Sequence, residues 1–150
     1  LSDNQISFSL DTRYVVSRVI DGSYPDYQKV IPQNSLSRVL VARTDLERAV
    51  RAAAIFSSSI SDVLITCTQD TISLSAKNTQ RGSSRSSVQV QVKGDPFEMS
   101  LNYTYLVDAM SATQTEKVIL EFTGIGSPLL IKPFDEGQNF VYVIMPLRQS

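Results

Sequence analysis

The side chains able to do covalent or acid–base chemistry are few and badly placed for it. The chain has no histidine and a single cysteine, Cys67, inside the apolar run "DVLITCTQ". A thiol becomes a nucleophile or metal ligand in an accessible, electropositive setting, and an apolar strand offers neither. Aspartates and glutamates are scattered through "SDV", "QDT" and "DEG", which read as strand ends and turns. The pair Asp135–Glu136 in "FDEGQN" marks a hairpin turn, and two acids there do not make a metal site. No G-x-x-x-x-G-K-[ST], G-x-G-x-x-G or G-x-S-x-G motif occurs. Neither catalysis nor a cofactor nor a metal centre is expected. What remains is binding chemistry. The chain closes on "NFVYVIMPLRQS", where every position from Phe140 to Met145 is apolar and Pro146 cannot donate to a ladder. A strand whose two faces both leave water, followed by a Met145–Pro146–Leu147 elbow, belongs in a core or under a partner.

The composition limits the class of protein. At 150 residues and 16.6 kDa the chain suits one domain, with room for part of another. An apolar fraction of 42% is ordinary for a globular protein, and 19% charged residues excludes a disordered polyelectrolyte. No apolar run approaches a membrane span and no signal-like segment opens the chain, so no membrane partner is expected. One cysteine cannot form an internal disulfide, which favours the cytoplasm. The chain opens on Leu1 in a strand-like segment, as a fragment would. A formal net charge of −1 argues against a protein that grips DNA by neutralising phosphates.

Alternating residues predict mostly strands. "QISFSLD" and "TRYVVSRVI" read as a hairpin, and "DGSYPDYQKVIPQNS" as a loop punctuated by Gly22, Pro25 and Pro32. A boundary near Pro32 separates residues 1–32 from 33–150. Strand "LSRVLVA" leads to the helix "TDLERAVRAAAIFSSS", with Thr44 and Glu47 as a capping box and Leu46, Ala49, Val50 and Ala53 on one face. "DVLITCTQ", "TISLSAKN" and "SSVQVQVKG" follow as strands. After Gly94 the order begins again: strand "FEMSL", helix "YTYLVDAMS" capped by Asn102, then strands "KVILEFTG", "SPLLIKPF" and "NFVYVIMPL". A duplicated β-α-β-β-β order predicts an α+β fold with two helices packed on antiparallel sheets.

"DGSYPDYQKVIP", "LERAVRAAAIFS", "LNYTYLVDAM" and the terminal "YVIMPLR" together resemble the bacterial DNA polymerase III beta subunit family, the replication sliding clamps, in order and spacing. The resemblance covers essentially the whole chain. It implies the DNA-clamp fold, with 1–32 as the end of the middle clamp domain and 33–150 as the C-terminal one. It also implies a non-catalytic processivity factor that encircles duplex DNA as a homodimeric ring and meets DNA polymerase, the clamp loader and repair proteins. In that family the terminal strand and tail wall a hydrophobic cleft for partner peptides. The matching positions are Pro25, Lys29, Val30, Asn102, Tyr105, Gly126, Pro128, Val143, Ile144, Met145, Pro146, Leu147 and Arg148, with Ile60 near an aromatic cleft position.

Two further surfaces are implied by the resemblance. Ile55 and Phe56 match the helix end that meets a partner subunit, and Arg43, Arg48 and Arg51 match the DNA-facing side. A ring held by topology needs only weak phosphate attraction, so the small net charge is compatible with it. One departure stands out: many clamps carry acids in the segment matching "KNTQRGSSRSS", where this chain has Lys77, Arg81 and Arg85. Plainer readings stand beside these. Val143 and Ile144 suit a core, Asn102 a helix cap, and Arg48 and Arg51 a solvated face with Glu47 as counter-charge. An unrelated β-rich binding module, or an enzyme with a carboxylate site, is the alternative.

Overall fold

The computed structural model describes residues 4–135, 137 and 140–148. These form two compact units, 1–30 and 31–150, within which the described residues fall. The first unit holds the hairpin of β1 (Gln5–Leu10) and β2 (Arg13–Arg18) and a single 3-10 turn, Tyr27–Lys29. Asp11, at φ +50°, closes the two-residue turn in the left-handed conformation such hairpins use.

The second unit begins with β3 (Ser37–Ala42), whose Val39 and Val41 point inward while Arg38 faces water. It runs straight into α1 (Arg43–Ala54), which buries Leu46, Ala49, Val50 and Ala53. That spacing of three and four residues is one helical stripe. The expected capping box does not form. Ala42 occupies the N-cap with no side-chain bond, because the helix starts one residue before Thr44, and Glu47 instead takes the guanidinium groups of Arg43 and Arg51. β4 (Asp62–Cys67), β5 (Thr71–Asn78) and β6 (Gly82–Gln89) form a meander, and β7 (Gln91–Gly94) follows. The second repeat is β8 (Phe97–Asn102), α2 (Tyr103–Ala112), β9 (Lys117–Phe122), β10 (Leu129–Pro133) and β11 (Tyr142–Ile144).

One sheet has the order β11-β10-β9-β3-β7 and the other β6-β5-β4-β8. Each repeat therefore lends its leading strand to the other's meander: β3 pairs antiparallel with β9, and β8 with β4. Neither repeat can complete a sheet alone. The helices bind each other's ends in the same reciprocal way. Arg43 N–H donates to the Glu116 carbonyl and Tyr103 N–H to the Ser61 carbonyl, both at 2.9 Å, which sets the helices antiparallel. Both sheets and both helices supply the core, and the stacked rings of Phe97 and Phe122, 4.4 Å between centroids, join β8 to β9 across the two sheets.

The run "SSVQVQVKG" is not one strand. Val90 N–H donates to the Asp70 carbonyl at 2.9 Å, outside either ladder, and there the chain turns from one sheet to the other. Val88 stands opposite Ile72 and Val92 opposite Val39, so the alternation survives while its partners change. The last strand is also shorter than its apolar pattern. Only Tyr142–Ile144 lies in the sheet, and Met145–Arg148 leave it. Glu136 of the expected "FDEGQN" turn, with Gln138, Asn139, Gln149 and Ser150, lies outside the described residues.

Candidate functional site

The tail is positioned by one bond to the other sheet. Beyond β11, Leu147 N–H donates to the Ser100 carbonyl on β8 at 2.8 Å. β8 is the edge of the four-stranded sheet and β11 the edge of the five-stranded one, so the elbow spans the gap between two edges. Pro146 cannot continue a ladder, which leaves the elbow free to cross. Ile144 opposite Leu129 is 1% exposed and backs this wall from the core, whereas Met145 is 57% exposed. Val143, Pro146 and Leu147 are half-buried and Arg148 is exposed.

Tyr105 rises from the first turn of α2 and is 51% exposed. α2 packs on β11, and Tyr142 stands close enough to Asp108 and Tyr105 to respond to their charges. Burial raises the Tyr142 phenol above its ordinary value, and those two charges push the same way. Tyr142 and Asp108 were absent from the sequence expectations; only their adjacency to Tyr105 across α2 and β11 marks them. Asn102 is engaged as the α2 cap. Its Oδ1 accepts from Thr104 N–H at 2.9 Å and from the Thr104 hydroxyl at 2.6 Å. Gly126, at φ +74°, lies in the β9–β10 connection, and Pro128 is buried where that connection enters β10 opposite the last strand. Pro25, Lys29 and Val30 belong to the first unit, where Lys29 pairs with Asp26 at 3.3 Å.

The arginines differ. Arg43 is tied to the Thr115 carbonyl at 3.2 Å, the Met110 carbonyl at 3.4 Å and Glu47 at 3.5 Å, which makes it a clasp between the helices. Arg51 holds Glu47 at 2.8 Å, and Arg48 reaches Asp45 only at 3.8 Å with its side chain 80% exposed. A concavity of about 310 Å³ opens between the helices, lined by Arg51, Ala54, Tyr103, Thr104, Val107 and Asp108. One of its lining residues, Asp108, is the one whose charge acts on Tyr142. Ile55 is exposed at the end of α1, and Phe56 is half-buried against the core. Ile60 is 60% exposed, in the loop before β4. Among the described residues, no group of three or more potential ligands could hold a metal ion. No described helix is long and apolar enough to cross a membrane.

Two sheets exchanging their leading strands around a pair of antiparallel helices define a clamp-type α+β fold. The family described as DNA polymerase III beta subunit, C-terminal domain, matches residues 28–148. The chain belongs to that family, the bacterial sliding clamps. It is 32% identical over 151 residues to the beta sliding clamp of Caulobacter vibrioides, covering 99% of this chain and 40% of that protein. The beta sliding clamp of Proteus mirabilis is 30% identical over 133 residues, covering 88% and 36%. Among solved structures, the DNA polymerase III subunit beta of Pseudomonas aeruginosa superposes with a TM-score of 0.89 at 26% identity, covering 99% and 41%. The Bartonella birtlesii sliding clamp bound to griselimycin superposes with a TM-score of 0.89 at 28% identity, covering 99% and 40%. The chain thus spans about 40% of the length of these relatives. The family match removes the alternative of an unrelated β-rich module or enzyme.

Proposed function

We propose that this chain is the C-terminal part of a cytoplasmic, ring-forming clamp that encircles duplex DNA and captures polymerase, clamp-loader and repair proteins by short peptides. Residues 1–32 are then the end of the middle domain and 33–150 the C-terminal domain. The observation that carries the reading is the tail. Met145 stands exposed on an elbow pinned between two sheet edges, with half-exposed Tyr105 on the neighbouring helix. A peptide gains affinity by burying a few apolar anchors, about 25 cal/mol per Å² removed from water. The receptor must keep apolar surface open and adaptable, and methionine suits that. Val143, Leu147, Arg148, Gly126 and Pro128 complete the cleft on this unit, with Asn102 and Ile144 holding its walls from behind. Pro25, Lys29 and Val30 are assigned to it by resemblance alone. Arg48 and Arg51 offer weak, sequence-independent attraction to duplex DNA, while Arg43 supports the helices that carry them.

Titration with a fluorescent peptide of the type Gln-x-Leu-x-Leu-Phe tests the cleft. Binding with a dissociation constant of about micromolar order is expected. Met145→Ala combined with Leu147→Ala should weaken it by at least ~1 kcal/mol. A folded chain with no saturable binding ends the reading.

A further inference from the structure

The two repeats match residue for residue around the tail. β3 and β8 each run straight into a helix, so Ser37–Ala42 corresponds to Phe97–Asn102. Ala42 lies opposite Lys117 as Asn102 lies opposite Asp62, and Ile72 lies opposite Val88 as Leu129 lies opposite Ile144. Just beyond Val88 and Ile144 stand Val90, at the corner, and Pro146, at the elbow. The residue after each is joined to the same place in its repeat: Gln91 pairs with Leu40, and Leu147 N–H donates to the Ser100 carbonyl. The corner between β6 and β7 is thus the internal counterpart of the elbow after β11.

A concavity of about 270 Å³ opens at that corner. Half-buried Leu40 and Val90 supply its apolar lining, and exposed Gln89, Gln91 and Lys117 its polar lining. Gln89 and Gln91 stand where the elbow has Met145 and Leu147, and Lys117 stands where it has Asp62. Asp62 is engaged, since its carboxylate accepts the Ser58 N–H at 2.9 Å. Lys117 joins no ion pair among the described residues, although Glu116 precedes it and Asp70 bonds the corner through its carbonyl. The counterpart has kept the main-chain frame and exchanged an apolar lining for amides and a cation.

We infer that this corner is a second docking site, for an extended partner segment that carries one apolar side chain beside a carboxylate. The apolar side chain covers Leu40 and Val90, and the carboxylate faces the unpaired Lys117. The two amides, each both donor and acceptor, meet the segment's N–H and C=O groups. A concavity of this size takes one or two side chains rather than a drug-sized ligand. It offers less apolar surface than Met145 and Leu147 do, so binding here is weaker than at the elbow. The inference rests on the reading of the elbow as a peptide site, and it adds a second class of segment, polar where the first is apolar.

Methyl NMR of the full-length subunit tests it, with leucine and valine methyl groups labelled and the peptide acetyl-Asp-Leu-Ser-amide as probe. The Leu40 and Val90 signals should shift saturably, with a dissociation constant of about millimolar order. Acetyl-Asn-Leu-Ser-amide, which lacks the carboxylate, should bind at least ~3-fold more weakly. Lys117→Gln should erase that preference, and Lys117→Glu should reverse it. Met145→Ala with Leu147→Ala should leave the Leu40 and Val90 shifts unchanged. No saturable shift at Leu40 and Val90, equal binding of the two peptides, or a preference that survives both Lys117 variants overturns the inference. The Gln-x-Leu-x-Leu-Phe titration on the same proteins separates the two failures. Its loss in the unaltered subunit defeats the reading of the elbow, whereas its retention without the corner shifts defeats only the second site.

Discussion

Burial silences the one thiol. Cys67 is 1% exposed, and burial pushes its pKa up to about 11, since a thiolate loses its hydration there. The sign of the consequence follows from proton binding. Between the unfolded value of about 8.5 and the folded value, the native state holds a proton that the unfolded chain has lost. The contribution is fully present below the unfolded value and disappears as pH rises through about 11. Denaturant midpoints measured across that range should fall with pH, and Cys67→Ala should remove that part of the slope; an identical slope in the variant would contradict the assignment. Asp62 behaves oppositely. Hydrogen bonding to Ser58, including a backbone bond of 2.9 Å, holds its carboxyl below the ordinary value, so its stabilisation is lost only in acid.

The elements are joined by a few positions that tolerate little. Gly94 ends β7 at φ +111°, and a Cβ there would run into the Leu36 carbonyl oxygen and stand 2.7 Å from the Ser37 Cα. Both neighbours are backbone and cannot swing away. Gly94→Ala should therefore lower unfolding stability by more than ~2 kcal/mol by chemical denaturation. Asn102 is a gentler case. Asn102→Ala removes the α2 cap and should cost about 1 kcal/mol by the same measurement, while Asn102→Asp should retain most of it. Preserved peptide affinity in the Asp variant would place the role of Asn102 in capping rather than in peptide contact. The helix positions of α1 were readable because apolar residues recur at three and four. Its start was not, because β3 feeds α1 directly and Arg43 is held by Glu116, a residue 73 positions away in sequence.

For the whole molecule, assembly is the test. Ile55→Lys with Phe56→Lys in the full-length subunit should shift a ring to monomers in sedimentation, since two charges would replace the apolar surface at the α1 end. Phe56 also contacts the core, so Ile55→Lys alone is the cleaner variant, expected to weaken assembly while leaving the melting temperature of the chain close to wild type. An undiminished dimer in the single variant removes Ile55 from the interface. The hydrophobic core of the second unit is continuous across both sheets and both helices, which gives these surface changes a rigid base.

Local pattern in the sequence determined the element types, a strand–helix–strands order that occurs twice, and the apolar face of each helix, because side-chain periodicity is a property of neighbours along the chain; it did not show that the third strand after α1 divides into β6 and β7. It also determined that Cys67 would be buried and that no phosphate-binding or nucleophile-elbow motif is present. Only the tertiary structure decided which strands pair. The exchange of β3 and β8 between repeats, the corner at Val90 and the bond from Leu147 to Ser100 all join residues remote in sequence. Those contacts hold the elbow after β11 against β8 and pack α2 on β11, and no window of neighbouring residues encodes them.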